Sequence, residues 1–218
     1  MNELFPILAV ETSGELCSVA LLLDEKNFIE LNYLQKQIHS QKLIGMIDTV
    51  LETAATELRG VKSIAVSMGP GSFTGLRIGL SAVKGIAFGA NLPIIPVPTF
   101  DAFAFHLGKY LPEITNYVIA VSANIEELYF AKFAKKQNVI EVLDELKLIA
   151  KKDLENILDS GEVVYGNVGG SGRVNPVIGP TAKSIGEWAY LYGKDLLTFD
   201  QDYIEPNYFK KFIVKVRR

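Results

Sequence analysis

The chain has 218 residues, 49% of them hydrophobic, enough to bury a substantial core as one large unit or two small ones. Its 22 basic and 25 acidic side chains nearly cancel, which excludes a nucleic-acid binder charged over its whole surface, so any contact with RNA has to be local or delegated. The lone Cys17 excludes an intramolecular disulfide and a cysteine-based zinc site. The start, MNELFPILAVETSG, has an acid where a signal peptide has a base and too short an apolar run to span a bilayer, so the protein is expected in the cytoplasm.

ILAVETS, ELCSVALLLDE and NFIELNYLQK are three β-like runs separated by turn material at TSGE and DEKN, and they predict an antiparallel meander. Cys17 falls in the alternating part of the second run and is expected to be buried as a small hydrophobe. Ser40 is placed to cap a helix whose apolar residues Leu43, Ile44, Ile47, Val50, Leu51, Ala54 and Leu58 recur every three or four positions until Gly60. KSIAVSM then predicts a strand, and a second helix is expected from about Thr74 to Ala90.

Between that strand and helix lies SMGPGSFTGLRIG, residues 67–79. A loop that leaves a strand and enters a helix presents free N–H groups at the positive end of the helix dipole, which suits an anion. Glycines Gly69 and Gly71 allow a sharp turn and close approach, Ser72 and Thr74 can cap the helix or donate to oxygen, and Arg77 lies one turn inside. The loop lacks the lysine of the P-loop, and its glycine spacing misses the dinucleotide fingerprint by one residue. A phosphate cradle and a structural turn with a capped helix both fit it. In the helix itself Gly75, Gly79, Ala82 and Gly89 share one narrow face with Ile86, flanked by Ile78. Helical glycines are costly, so another backbone is expected to approach this face, either the first helix or a partner. The partner reading gives a subunit interface of Leu43, Ile47, Val50, Gly75, Ile78, Gly79, Ala82 and Ile86.

NLPIIPVPT is a proline-marked strand expected at a sheet edge, FDAFAFHLGKYL a helix, and PEITN a break that divides the chain into subdomains 1–110 and 111–218. The second part repeats the pattern: YVIAVSA, EELYFAKFAK and NVIEVLDELKLI as strands, KKDLENILDS as a helix, EVVYGNV as a strand and TAKSIGEWAYLYGKD as a helix. The same β-β-β-α-β-α succession twice predicts two copies of one α/β unit with a cleft between them, the plan of the actin-like, RNase H-like (ASKHA) fold.

Catalytic groups are sparse. His39 and His106 lack metal-ligand spacing and read as capping or packing residues, and the carboxylates are scattered. Glu11, at the end of the first strand, could face a nucleotide's metal ion or be an ordinary turn residue. GNVGGSGR at 166–173 could line the cleft or be a plain connection.

GPGSFTGLRIGLSAVKGIAFG at 69–89, with ILAVETSGELCSVAL, IHSQKLIGMID and the late PNYFKK, resembles the TsaB family, accessory proteins for threonylcarbamoyladenosine in tRNA. The resemblance implies the duplicated actin-like fold and pairing through the first-half helices, with itself or with a TsaD-like catalytic subunit. A TsaE-like ATPase would complete the assembly, and tRNA would be reached through the complex. No cofactor is required, although weak nucleotide binding is compatible with it. The catalytic relative has a His-x-x-x-His metal pair after the edge strand, and Thr99 and Phe103 stand at those places here, so the chain is expected to be a partner without catalytic residues. Two departures bear on nucleotide binding: Glu11 replaces an aspartate, and Ser122, Ala123 and Asn124 replace Asp-Ala-Arg. The alternative is an ATP-dependent phosphotransferase of the sugar-kinase type, using Glu11 and the Gly69–Gly75 loop. A peptidase would need a metal, or a nucleophile with a base, that the sequence does not offer.

Overall fold

Alternation in the first two strands sorts their side chains onto two faces. Leu8, Val10, Cys17, Val19 and Leu21 join one apolar cluster, and Ile7, Ala9, Ala20 and Leu22 join another. The computed structural model describes residues 4–35, 37–137, 139–169 and 172–207. β1 (Ile7–Glu11), β2 (Leu16–Leu22), β3 (Phe28–Leu34), β4 (Ser63–Ser67) and β5 (Ile94–Val97) form a mixed sheet in the order β3-β2-β1-β4-β5. The proline-bearing β5 lies at its edge, as expected. β6 (Thr115–Ser122), β7 (Glu127–Lys136), β8 (Val139–Ala150), β9 (Val163–Gly166) and β10 (Val174–Pro176) form a second, in the order β10-β9-β6-β7-β8. Read from the other edge the two orders are the same, with the first three strands antiparallel and the last two parallel, so the duplicated plan holds.

Helices α1 (His39–Thr53) and α2 (Phe73–Ala90) cover one face of the first sheet. Helix α3 (Thr99–Gly108) instead packs Phe100, Phe103 and Leu107 on Tyr117, Ile119 and Tyr129 of the second sheet. Helix α5 (Ala182–Tyr192), late in the chain, returns to the first sheet. Its Ala182, Gly186 and Ala189 meet Ala9, Ala20 and Leu22, and a Cβ on Gly186 would press into Leu22, so small residues set a close approach. The Ser18 hydroxyl, on the same face, accepts a 2.8 Å hydrogen bond from the Ala182 amide. α3 and α5 therefore form a shared layer between the sheets, and the four-residue α4 (Leu154–Ile157) lies on the outer side of the second.

Four expectations need correction. Ser40 does not cap α1: the cap position is Ile38, and His39 is buried with its Nε2 3.3 Å from the Leu16 carbonyl oxygen, leaving Ser40 on the exposed side. α1 ends at Thr53 rather than Gly60, because Ala55 turns left-handed (φ 48°) and Leu58 packs from a separate 3-10 turn. KKDLENILDS gives only a 3-10 turn and α4. β10, three residues within a glycine- and proline-rich stretch, was not foreseen by periodicity.

Candidate functional site

Because β1 and β4 run parallel, with Val10 beside Val66, both end at the same rim, where the glycine-rich loop turns into α2. Glu11 is 2% exposed there; one oxygen, Oε1, accepts from the Ser13 amide and the other, Oε2, has no hydrogen-bond partner. Burial pushes its carboxyl up to about 7, opposed by hydrogen bonds from Ser13 and Ser67. Burial and then the nearby Glu11 charge push the Cys17 thiol up to about 11, which keeps it in the inert thiol form.

Three of the loop's amides are engaged within the chain. The Gly69 amide donates to Thr99 Oγ1 (2.8 Å), the Ser72 amide to the Ser13 carbonyl (2.6 Å), and the Gly75 amide to Ser72 Oγ (3.2 Å). Ser72 is thus the N-cap of α2, and the Asn207 amide closes on the Met68 carbonyl at 2.7 Å. Glycine at 71, 75 and 79 is explained by the same junction. A Cβ on Gly71 would strike the Ser13 carbonyl, on Gly75 the Thr12 carbonyl, and on Gly79 the Thr12 hydroxyl. Thr74 and Arg77 are exposed, with the Arg77 guanidinium 3.8 Å from the centre of the Phe73 ring. Of the residues expected to hold phosphate, Glu11, Gly69, Gly71 and Ser72 do gather at one rim, and they gather as a closed structural joint.

The expected interface splits in the same way. Leu43, Ile47 and Val50 are buried in the core beneath α1, and Gly75 and Gly79 face Thr12, so these five are corrected from partner contacts to internal packing. The glycine face has a backbone against it, as the periodicity requires, but that backbone is the end of β1. Ile78, Ala82 and Ile86 are half-buried at the border of the core. Beyond them α1 and α2 turn outward Ile44, Gly45, Gly85, Gly89 and Phe88, the last 83% exposed. Among the described residues nothing lies within 4 Å of a Cβ built on Gly45, Gly85 or Gly89. Gly45 and Gly85 were missed by sequence reasoning; the available signal was glycine inside a helix but off the apolar stripe.

Other candidates have structural surroundings. The Thr99 hydroxyl and amide are both bonded to Gly69, and Phe103 is buried against the second sheet. His106 Nδ1 lies 2.6 Å from the buried Ser184 hydroxyl, and burial, with Lys109 nearby, holds its imidazole below the usual pKa. In the second half the Ser122 amide donates to Asn167 Oδ1 (2.8 Å), which fastens the start of the 166–173 loop, while Asn124 Oδ1 accepts from Glu126 and Glu127 to shape the β6–β7 turn. Residues 170 and 171 of that loop, and 208–211 of PNYFKK, lie outside the described residues. No described helix is long and apolar enough to cross a membrane.

The family model for TsaD, tRNA N6-adenosine threonylcarbamoyltransferase, matches residues 33–161. Curated relatives carry the name tRNA threonylcarbamoyladenosine biosynthesis protein TsaB. The Haemophilus influenzae protein is 39% identical over 60% of this chain and 55% of its own length, and the Escherichia coli protein 34% over 68% and 63%. The match thus spans little more than half of those two relatives. The protein of Buchnera aphidicola from Acyrthosiphon pisum is 31% identical over 69% of this chain and 70% of its own. Among solved structures, an uncharacterized Pseudomonas aeruginosa protein described as similar to peptidase YEAZ superposes with a TM-score of 0.77 at 23% identity, covering 94% of this chain and 99% of that one. The likeness shows the fold along nearly the whole chain, the duplicated α/β plan that the two sheets display. By its sequence, the chain belongs to the TsaB family.

Proposed function

We propose that the chain is a non-catalytic, cytoplasmic subunit in the synthesis of threonylcarbamoyladenosine on tRNA, and that it works by pairing subdomain 1–110 with a TsaD-like catalytic subunit. In the partner's absence the same face pairs with a second copy, and a TsaE-like ATPase joins the assembly. The observation that carries this reading is the outward face of α1 and α2. Gly45, Gly85 and Gly89 each cost a helix up to about 1 kcal/mol against alanine, and none of the described residues uses the space they leave. Beside half-buried Ile78, Ala82 and Ile86 and exposed Ile44 and Phe88, that space suits the close approach of another helix pair. Two further features support a partner's role: Thr99 and Phe103 are committed to packing where the catalytic relative has metal ligands, and the Gly69, Ser72 and Gly75 amides of the loop are engaged within the chain. The second feature weighs against a sugar-kinase-type phosphotransferase.

Gly85→Arg tests the reading. The site is open, so the variant should keep the wild-type circular dichroism and unfolding midpoint. It should no longer co-elute with the catalytic subunit or self-associate, and reconstituted tRNA modification should fall with it. Association unchanged from wild type would refute the interface. Gly79→Arg would be uninformative, because it would drive a side chain into Thr12 and break the fold.

A further inference from the structure

The two outward helices differ in charge. α2 carries Arg77 and Lys84 and no acid at all. On α1 the exposed acids Asp48 and Glu52 follow Gly45 at helical spacing and share its stripe, while the one lysine, Lys42, lies about 120° round the helix from Asp48. No described residue forms an ion pair with Asp48, Glu52 or Lys84. Arg77 is exposed, with its guanidinium over the Phe73 ring.

A twofold pair uses one surface twice, so whatever residue i of one copy meets in the other, that residue meets i in return. Two helices on a face can then meet a second such pair in two ways. A dyad lying across the helices sets α2 on α2 and α1 on α1, whereas a dyad lying along them sets each α2 on the α1 of the other copy. The first arrangement gathers Arg77 and Lys84 of both copies with no acid on either α2 to offset them. The second gives each set of cations the neighbouring Asp48 and Glu52. Charges bordering an interface act on register and partner choice more than on raw affinity, and here they favour the second.

We propose that two copies of this chain pair with each α2 lying on the other's α1, and that Arg77 and Lys84 of one copy facing Asp48 and Glu52 of the other set that register. This rests on the proposed function for the use of the face itself. A second copy is the occupant because both members of every charge pair already stand on this chain. Exposed Ile44 and Phe88 and half-buried Ile78 supply the apolar contact that the charges border.

Three variants test the register: Arg77→Glu with Lys84→Glu, Asp48→Lys with Glu52→Lys, and the chain carrying all four changes. The sites are exposed or half-buried, so unfolding midpoints should match wild type. Self-association is measured by sedimentation equilibrium at about 50 mM salt and again at about 500 mM. Each double variant should self-associate roughly tenfold or more weakly at low salt, with the difference fading as salt screens the charges. The chain with all four changes should return to within about threefold of wild type, and the two double variants, mixed, should pair with each other at least as tightly as wild type. Double variants that self-associate like wild type overturn the register, as does a fourfold variant no tighter than the doubles. A wild-type chain that stays monomeric refutes the self-pairing proposed above and this register with it. If Gly85→Arg is monomeric while the charge variants are unaffected, the face stands and only the register falls.

Discussion

The two sheets share strand order and direction, yet they are clothed differently. The first has fifteen-residue α1 and eighteen-residue α2 on its outer face. The second has four-residue α4 in the place of α1, and the 166–173 loop between β9 and β10 where the first half has α2. The ends of the two leading strands also diverge: β1 finishes on buried Glu11, and β6 on Ser122 at the surface, tied to Asn167. A duplicated frame thus needs only one fully built outer layer. The half that keeps it is the half that carries the proposed partner face, while the other is closed over by a short segment. Lys132 ties that segment down through bonds to Glu162, Asp159 and the Ile157 carbonyl.

Paired substitutions can break or sharpen this contrast. The largest effect is expected where α2 sits on β1. Gly75→Ala sets a methyl against the Thr12 carbonyl and should cost about 3 kcal/mol or more in urea unfolding, whereas Gly169→Ala, in the loop that replaces that helix, should stay within about 0.5 kcal/mol. Equal costs would dissolve the distinction between the halves.

Glu11→Gln comes next. Its carboxyl titrates near 7 in the fold against about 4.5 in the unfolded chain, so between those values the native state holds a proton that the unfolded state has released. Stability therefore falls as pH rises through that window, and above it the buried carboxylate is a standing cost on the order of 3 kcal/mol. Glutamine cannot ionise. The variant should be the more stable protein at pH 8, with a flatter stability profile between pH 5 and 7, and parallel profiles would show that Glu11 does not titrate there. The smallest effect is Ser72→Ala, which removes the α2 cap and should lower stability by about 1 kcal/mol while leaving self-association intact. Loss of pairing instead would place the loop within the interface.

Much of the fold was legible because alternation and helical periodicity are local. α2 ran where expected, and both meanders followed the β-branched and aromatic runs. Local pattern did not reveal what each face meets. Gly75 and Gly79 announce a close neighbour, but that neighbour is Thr12, more than sixty residues earlier, and periodicity carries no label for it. The apolar stripe of α1 likewise seemed to run on through Ala54 and Leu58, where a left-handed Ala55 ends the helix. At the candidate site, Glu11 and the loop glycines were recognisable as residues with a purpose. Their closure into a joint depends on the Ser13 and Thr99 contacts, which only the assembled chain supplies.

The layer shared by α3 and α5 also bears on the order of synthesis. The first sheet is translated by residue 97, yet the face lined by Ile7, Ala9, Ala20 and Leu22 has no cover until α5 ends at Tyr192. A nascent chain on the ribosome must therefore carry an open apolar surface through most of its elongation, and a message truncated before that helix would yield a sticky fragment, a natural client for chaperones.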